Sequence, residues 1–139
     1  MISIEYLSHI ADTRLRLRAD TLEGLFTAGF TALNGLIKPE ACGDGSSPLP
    51  ISKAVSVQSA DTTALLVDFL SDVLTAVHEE KAVFCVLRLL SLSATRLEAL
   101  IEGKPAGGFE EDIKAVTYHE ADVRLNAEGL WETLLIFDI

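Results

Sequence analysis

Two helical stretches, separated by one strand and preceded by two others, constrain the fold of this sequence more than any other feature. Apolar residues recur at helical spacing over residues 22–37 and again over residues 66–77. Strand patterns are found over residues 2–7, 14–19 and 51–58. The chain therefore begins in the order β-β-α-β-α.

Strand patterns alone make up the rest of the chain. They are expected over residues 83–90, 95–102 (with looser alternation), 113–118, 121–125 and 131–137. The turn NAEG between the last two strands favours a hairpin. Helices separated by one strand and followed by a strand-only half predict an α+β fold, with a single domain over residues 1–139 and two helices packed on mixed or mostly antiparallel β-sheets.

Capping residues predict where the two helices begin. Asp20 or Thr21 starts the first helix, and Asp20 followed by Glu23 has the spacing of a capping box. Ser59 or Asp61 starts the second helix.

The charge balance and the apolar runs exclude several classes of protein. The sequence has 11 Lys and Arg against 21 Asp and Glu, a formal net charge of −10. Phosphate-backbone binding needs clustered basic side chains, so no tight direct RNA binding is expected. The apolar runs are too short to span a bilayer, and the N-terminus lacks a basic region followed by an apolar block. We therefore expect a cytoplasmic protein without a membrane partner.

The two cysteines are too few for a disulfide framework or a four-cysteine zinc site. Cys85 lies in the apolar run AVFCVLRLL and is predicted to be a buried thiol. Cys42 lies in a loop rich in Gly, Ser and Pro and is predicted to be free.

No complete catalytic motif is present. The sequence lacks a dinucleotide-binding GxGxxG, a Walker A loop, HExxH and GxSxG. The three histidines, His9, His78 and His119, are too far apart in sequence to indicate a site by spacing. His78 is expected near the end of the second helix, where a cation interacts favourably with the helix dipole.

Three carboxylates have two interpretations each. Asp12 lies between two strands, where an Asp commonly forms a turn by bonding a backbone N–H. The last strand runs to Asp138 and Ile139, so the Asp138 side chain and the α-carboxylate of Ile139 either face water or are held side by side. Fixed neighbouring carboxylates need a compensating cation, and Ca²⁺ or Mg²⁺ binds such oxygens.

Basic side chains in two strands are similarly ambiguous. Lys114 either extends to the surface from an apolar strand, or pairs with carboxylates or a partner. Arg14, Arg16 and Arg18 alternate with two leucines, so they form either a solvated strand face or a contact face for an acidic partner or RNA.

Three segments together resemble the archease family. Residues 5–12 (EYLSHIAD) are similar to the archease opening, residues 113–119 (IKAVTYH) to an internal strand, and residues 135–139 (LIFDI) to the C-terminal end. A turn at residues 103–105 (GKP) resembles the family's G-E-P turn. The segments occur in the family's order along the whole chain.

The resemblance implies a non-catalytic activator of an RtcB-type RNA ligase, which joins RNA ends with GTP and Mn²⁺ as the ligase's own cofactors. Archeases promote the ligase–GMP intermediate and multiple turnover, in tRNA splicing or RNA repair. The resemblance further implies a calcium or magnesium site at Asp12, Asp138 and the Ile139 carboxylate. It implies an activating role for Lys114 and a supporting role for His9.

Two other functions remain open from the sequence. The two-helix arrangement resembles the substrate domain of a redox-regulated chaperone, although Cys42 and Cys85 cannot supply that chaperone's zinc-binding cysteines. A metal-dependent hydrolase using Asp12 and Asp138 is the third hypothesis, but no nucleophile or general base is evident beyond the carboxylates.

Overall fold

A computed structural model describes residues 1–7, 12–43, 45 and 47–139. Within these ranges, two helices and eight strands follow one another in the predicted order. They are β1 (Ile2–Leu7), β2 (Asp12–Ala19), α1 (Leu22–Ile37), β3 (Ile51–Gln58), α2 (Thr62–Glu80), β4 (Ala82–Leu92), β5 (Arg96–Pro105), β6 (Ala115–Thr117), β7 (Arg124–Leu125) and β8 (Trp131–Asp138).

The strands form two antiparallel sheets with the helices between them. The larger sheet has the order β1-β2-β8-β6, with β7 also paired to β8, and the smaller sheet has the order β3-β5-β4. Helix α1 contacts β1, β2 and β8 of the larger sheet and β4 of the smaller one, and α2 likewise contacts both sheets. The α+β prediction is confirmed, and each sheet buries one face against the helices.

The helices are apolar on more than one side because they lie in this middle layer. Leu25, Phe26 and Leu33 of α1 are fully buried, as are Phe69 and Leu70 of α2. None of the helices in the described part of the chain is both long and apolar enough to cross a membrane.

Only part of the capping prediction is correct. Thr21 caps α1 by accepting a hydrogen bond from the Gly24 N–H at 3.0 Å. Asp20 instead accepts a hydrogen bond from the Met1 ammonium group at 2.8 Å, which lowers the pKa of Asp20. The predicted Asp20–Glu23 capping box is therefore wrong, whereas Asp61 caps α2 as predicted, accepting from the Ala64 N–H.

The GKP segment is part of a strand and does not form the predicted turn. Gly103 lies in β5, opposite Ile51 of β3 on one side and Phe84 of β4 on the other. A methyl group at Gly103 would overlap the carbonyl oxygen of Val83 and would lie 2.9 Å from the Phe84 Cα. Glycine is needed because two backbones approach closely here.

Two predicted strands are shorter than expected. The strand expected over residues 113–118 is reduced to Ala115–Thr117, and that expected over 121–125 to Arg124–Leu125. Backbone groups between the two strands form hydrogen bonds with side chains instead of a ladder. The Asp122 N–H donates to the Thr133 hydroxyl and the Val123 N–H to the Thr63 hydroxyl, each at 2.9 Å. These hydroxyls satisfy backbone donors that a longer strand would have paired.

The two cysteines form a disulfide, which corrects the prediction of two free thiols. The Cα atoms of Cys42 and Cys85 lie 5.3 Å apart, within the range that a disulfide needs. The ladder between β4 and β5 shifts register between Phe84 and Val86, so Cys85 is the extra residue of a β-bulge. The apolar run around Cys85 indicated burial, but it could not show that the bulge directs this side chain toward residue 42.

Asn34 joins α1 to the smaller sheet beside this bulge. Its side chain is buried, donates to the Phe30 carbonyl at 2.9 Å and accepts from the Phe84 N–H at 2.9 Å. A backbone donor of the edge strand β4 is thereby satisfied inside the protein.

Candidate functional site

Asp12 and Asp138 lie directly opposite each other on neighbouring strands. Asp12 is the first residue of β2 and Asp138 the last of β8, and the antiparallel register pairs them. Residues paired in this way have Cβ atoms about 4.5–5.5 Å apart and project from the same face of the sheet. Leu15 and Leu17 of β2 are completely buried against the helices, so both carboxylates belong to the opposite face.

The end of β8 is held in place. β8 lies between β2 and β6, and Leu135 and Phe137 are fully buried. The Ile139 side chain is partly buried and packs against the hydrophobic core. Asp138 therefore extends from an anchored strand, and the backbone of Ile139 is fixed beside it.

Lys114 is positioned next to Asp138 by its neighbours. Its N–H donates to the Asp138 carbonyl at 2.7 Å, immediately before β6 pairs Ala115 with Asp138. Ile113 is buried in the core, whereas Lys114 is exposed. The ammonium group is thus presented to solvent at the same end of the sheet as the two carboxylates.

His78 supports this arrangement, a role that sequence reasoning missed. Its Nε2 lies 3.0 Å from the Ile113 carbonyl oxygen, so this nitrogen is the donor. Its ring also packs edge-on against Phe109, with centroids 5.8 Å apart. His78 and Ile113 are 35 residues apart, so no local sequence signal could have revealed the contact.

The other predicted histidine positions are not brought to this site by any described contact. His9 lies outside the described residues. His119 is exposed in the turn that follows β6. The described part of the site therefore consists of Asp12, Asp138, Ile139 and Lys114.

The arginine row on β2 is paired with carboxylates on the solvent-facing side of the larger sheet. Arg14 binds Glu120 at 3.2 Å, and Arg18 binds Glu132 at 3.0 Å. Glu5 lies 3.5 Å from Arg16, and the antiparallel register places these two residues opposite each other. These pairs account for the row as a face of partly exposed ion pairs, each of which contributes little to stability.

Tyr118, which follows β6, connects this strand to α2 through the side chain of Asp68. Its hydroxyl donates to Asp68, which also accepts from the Ser59 hydroxyl at 2.6 Å. The hydrogen bond to Asp68 raises the pKa of the Tyr118 phenol. Partial burial and the Asp68 charge raise the pKa of Asp72, one turn along the helix.

The donors at the end of β8 have the chemistry of a hard-cation site. Carboxylate and main-chain oxygens are the ligands of Ca²⁺ and Mg²⁺. In the part of the chain that the structure describes, no three His, Cys, Asp or Glu side chains are grouped closely enough to hold a metal ion. Asp12 and Asp138 by themselves therefore do not form a complete metal site among the described side chains.

The sequence matches one family model over nearly its whole length. The model of the Archease protein family (MTH1598/TM1083) matches residues 4–139. The archease of Methanosarcina acetivorans is 29% identical over 143 residues, covering 97% of this chain and 94% of the relative. The archease of Pyrococcus furiosus is 27% identical, covering 97% of both chains.

Two solved structures have the same fold. The solution structure of Methanobacterium thermoautotrophicum protein 1598 superimposes with a TM-score of 0.72 at 21% identity, covering 98% of both chains. A crystal structure from Thermotoga maritima, described as an archease and possible chaperone, gives a TM-score of 0.64 at 16% identity, covering 96% of this chain and 94% of that one. Both sheets and both helices therefore belong to a shared architecture.

Proposed function

The chain belongs to the archease family, and from this we propose that it activates an RtcB-type RNA ligase by promoting ligase guanylylation and multiple turnover. The observation that carries the proposal is the convergence of Asp12, Asp138 and Lys114 at one end of the larger sheet. These residues come from segments that are up to 126 positions apart in sequence (138 − 12). Each lies in one of the three archease-like segments.

An activator of this kind works through binding energy. It must bind the competent state of the ligase better than the incompetent state, because equal affinity shifts nothing. A tenfold acceleration needs only about 1.4 kcal/mol of such preference. We expect the end of the sheet bearing Asp12, Asp138 and Lys114 to dock near the GTP pocket of the ligase, where Lys114 meets an acidic or phosphate group.

A divalent cation is part of this proposal. Asp12, Asp138 and the Ile139 carboxylate would hold Ca²⁺ or Mg²⁺ through oxygen, as their donor chemistry allows. When bound, the cation would neutralise the fixed carboxylates and make this end of an acidic protein compatible with an anionic partner. His9 would support the site by orienting a carboxylate. GTP and Mn²⁺ remain cofactors of the ligase.

This protein, added in substoichiometric amounts, should raise the rate of RNA ligation by the ligase of the same organism. The measurement is multiple-turnover joining of RNA 3′-phosphate and 5′-hydroxyl ends with GTP and Mn²⁺, with ligase–GMP followed separately. We expect at least a tenfold rise in turnover, corresponding to about 1.4 kcal/mol of preferential binding. No change in turnover or in ligase–GMP, with a preparation shown to be folded by circular dichroism, would contradict the proposal.

The metal site gives an independent prediction. Asp12→Asn and Asp138→Asn should each weaken Ca²⁺ or Mg²⁺ binding at least about tenfold, since each removes a charged oxygen ligand. Isothermal titration calorimetry measures the affinity. Asp122→Asn is the matched control, because the Asp122 side chain is 70% exposed and pairs only loosely with Arg124, at 3.9 Å. Equal affinities of all three variants and the unchanged protein would remove Asp12 and Asp138 from the proposed site.

A protein-binding, chaperone-like function is the second candidate. It is favoured by the description of the Thermotoga maritima relative as a possible chaperone. A chaperone would suppress aggregation of an unrelated unfolded protein at a stoichiometric ratio without any ligase present. This assay separates the two functions, because a specific activator would leave such aggregation unchanged.

A further inference from the structure

The Cys42–Cys85 disulfide links two parts of the fold that differ in how firmly they are held. Cys85 lies in β4, an edge strand of the smaller sheet, at the β-bulge that directs its side chain away from the ladder. Cys42 lies in the turns that follow α1. Both cysteines are partly exposed, so a reductant can reach the bond while the protein is folded.

The segment that contains Cys42, residues 38–43, has few other ties to the protein. Its backbone hydrogen bonds within the described residues are local: Ala41 donates to the Lys38 carbonyl and Gly43 to the Glu40 carbonyl, each at 3.2 Å. Glu40 has a positive φ of 64°, which is uncommon for a residue with a side chain. Only the Lys38 N–H continues the helix pattern, donating to the backbone carbonyl of Asn34 at 3.0 Å. The disulfide is thus the covalent tie between this segment and β4.

A cavity of about 140 Å³ adjoins the disulfide. Its wall includes Phe30, Asn34 and Phe84 together with both cysteines. Moving residues 38–43 away from β4 would expose the aromatic side chains of this wall. Opening of the segment would therefore add an exposed apolar patch to the surface of the protein.

The hydrophobic core does not depend on this bond. The core cluster consists of buried residues from both helices and both sheets, and neither cysteine belongs to it. Phe84, next to Cys85, is held independently by the hydrogen bond from its N–H to Asn34. Loss of the disulfide should therefore open residues 38–43 locally and leave the sheets and helices folded.

We propose that Cys42–Cys85 is a reversible redox switch, cleaved in the folded protein by a dithiol reductant of the thioredoxin class. A thiolate of the reductant attacks one sulfur, forms a mixed disulfide and releases the other cysteine as a thiolate, which takes up a proton. The second thiol of the reductant then displaces the remaining cysteine. Two electrons and two protons pass to Cys42 and Cys85, and the reductant leaves as its own disulfide.

The switch is tested on the full chain under native conditions. Thioredoxin, thioredoxin reductase and NADPH are added to the oxidised protein, and thiols are counted by alkylation and mass spectrometry. Hydrogen exchange is measured in parallel on both forms. We expect two thiols per chain within minutes, at least tenfold faster exchange in residues 38–43, and unchanged exchange in β2 and β8.

The double variant Cys42→Ser, Cys85→Ser provides the control for unfolding. It should have the circular dichroism spectrum of the oxidised protein and the exchange pattern of the reduced one. The proposal is overturned if the bond reacts with thioredoxin only after denaturation, or if reduction and the double variant both abolish the whole fold. It is also overturned if reduction leaves exchange in residues 38–43 unchanged. None of these outcomes depends on ligase activation.

Discussion

Replacing Gly103 with alanine should lower the free energy of unfolding by about 3 kcal/mol or more. The added methyl group would overlap the Val83 carbonyl oxygen and crowd the Phe84 backbone. Neither obstacle is the end of a flexible side chain, so β4 and β5 must separate locally. This would also strain the bulge that positions Cys85 and the Phe84 N–H.

Gly35→Ala is the matched control for Gly103→Ala. Gly35 lies in α1, and a Cβ there would meet no atom within 4 Å. Alanine has the higher helix propensity, so this variant should be more stable by up to about 1 kcal/mol. Urea unfolding followed by circular dichroism measures both variants. A Gly103→Ala midpoint equal to that of the unchanged protein would mean that the strands adapt without cost.

Lys114→Ala should lower ligase activation at least about tenfold, equivalent to 1.4 kcal/mol, while leaving stability within about 0.5 kcal/mol of the unchanged protein. The side chain is exposed, whereas its backbone N–H still donates to Asp138 after the substitution. The charged group is therefore removed without disturbing the end of β8. Activation is measured as multiple-turnover ligation, and stability by thermal unfolding.

Lys53→Ala tests whether removing a lysine elsewhere on the surface lowers ligase activation as much as Lys114→Ala. Lys53 lies on β3 in the smaller sheet and pairs with Glu80 at 3.3 Å, so the change in net charge is the same but its position differs. It should activate the ligase normally. Full activation by both the Lys114 and the Lys53 variant would show that Lys114 is an ordinary surface lysine. Equal loss in both would indicate a general charge effect instead of a local contact.

Local patterns predicted most elements because their causes are local. The strands at Ile2–Leu7 and Ile51–Gln58 and the helix over Leu22–Ile37 match their predicted bounds. Burial of Leu15 and Leu17 follows from alternation along one strand. The strand predicted over residues 121–125 is shorter in the structure because Thr63 and Thr133 satisfy the backbone donors of Asp122 and Val123, and these partners are distant in sequence.

The sequence by itself determined the order of elements, the buried faces, and the family to which the three motifs point, because each depends on residue type and spacing along the chain. Only the tertiary structure decided the pairing of Asp12 with Asp138, the contact of His78 with Ile113, and the Cys42–Cys85 bond. Each of these joins residues that are dozens of positions apart. Their proximity results from strand register, from the bulge in β4 and from packing of the helices between two sheets, and such long-range geometry leaves no periodic trace in the sequence.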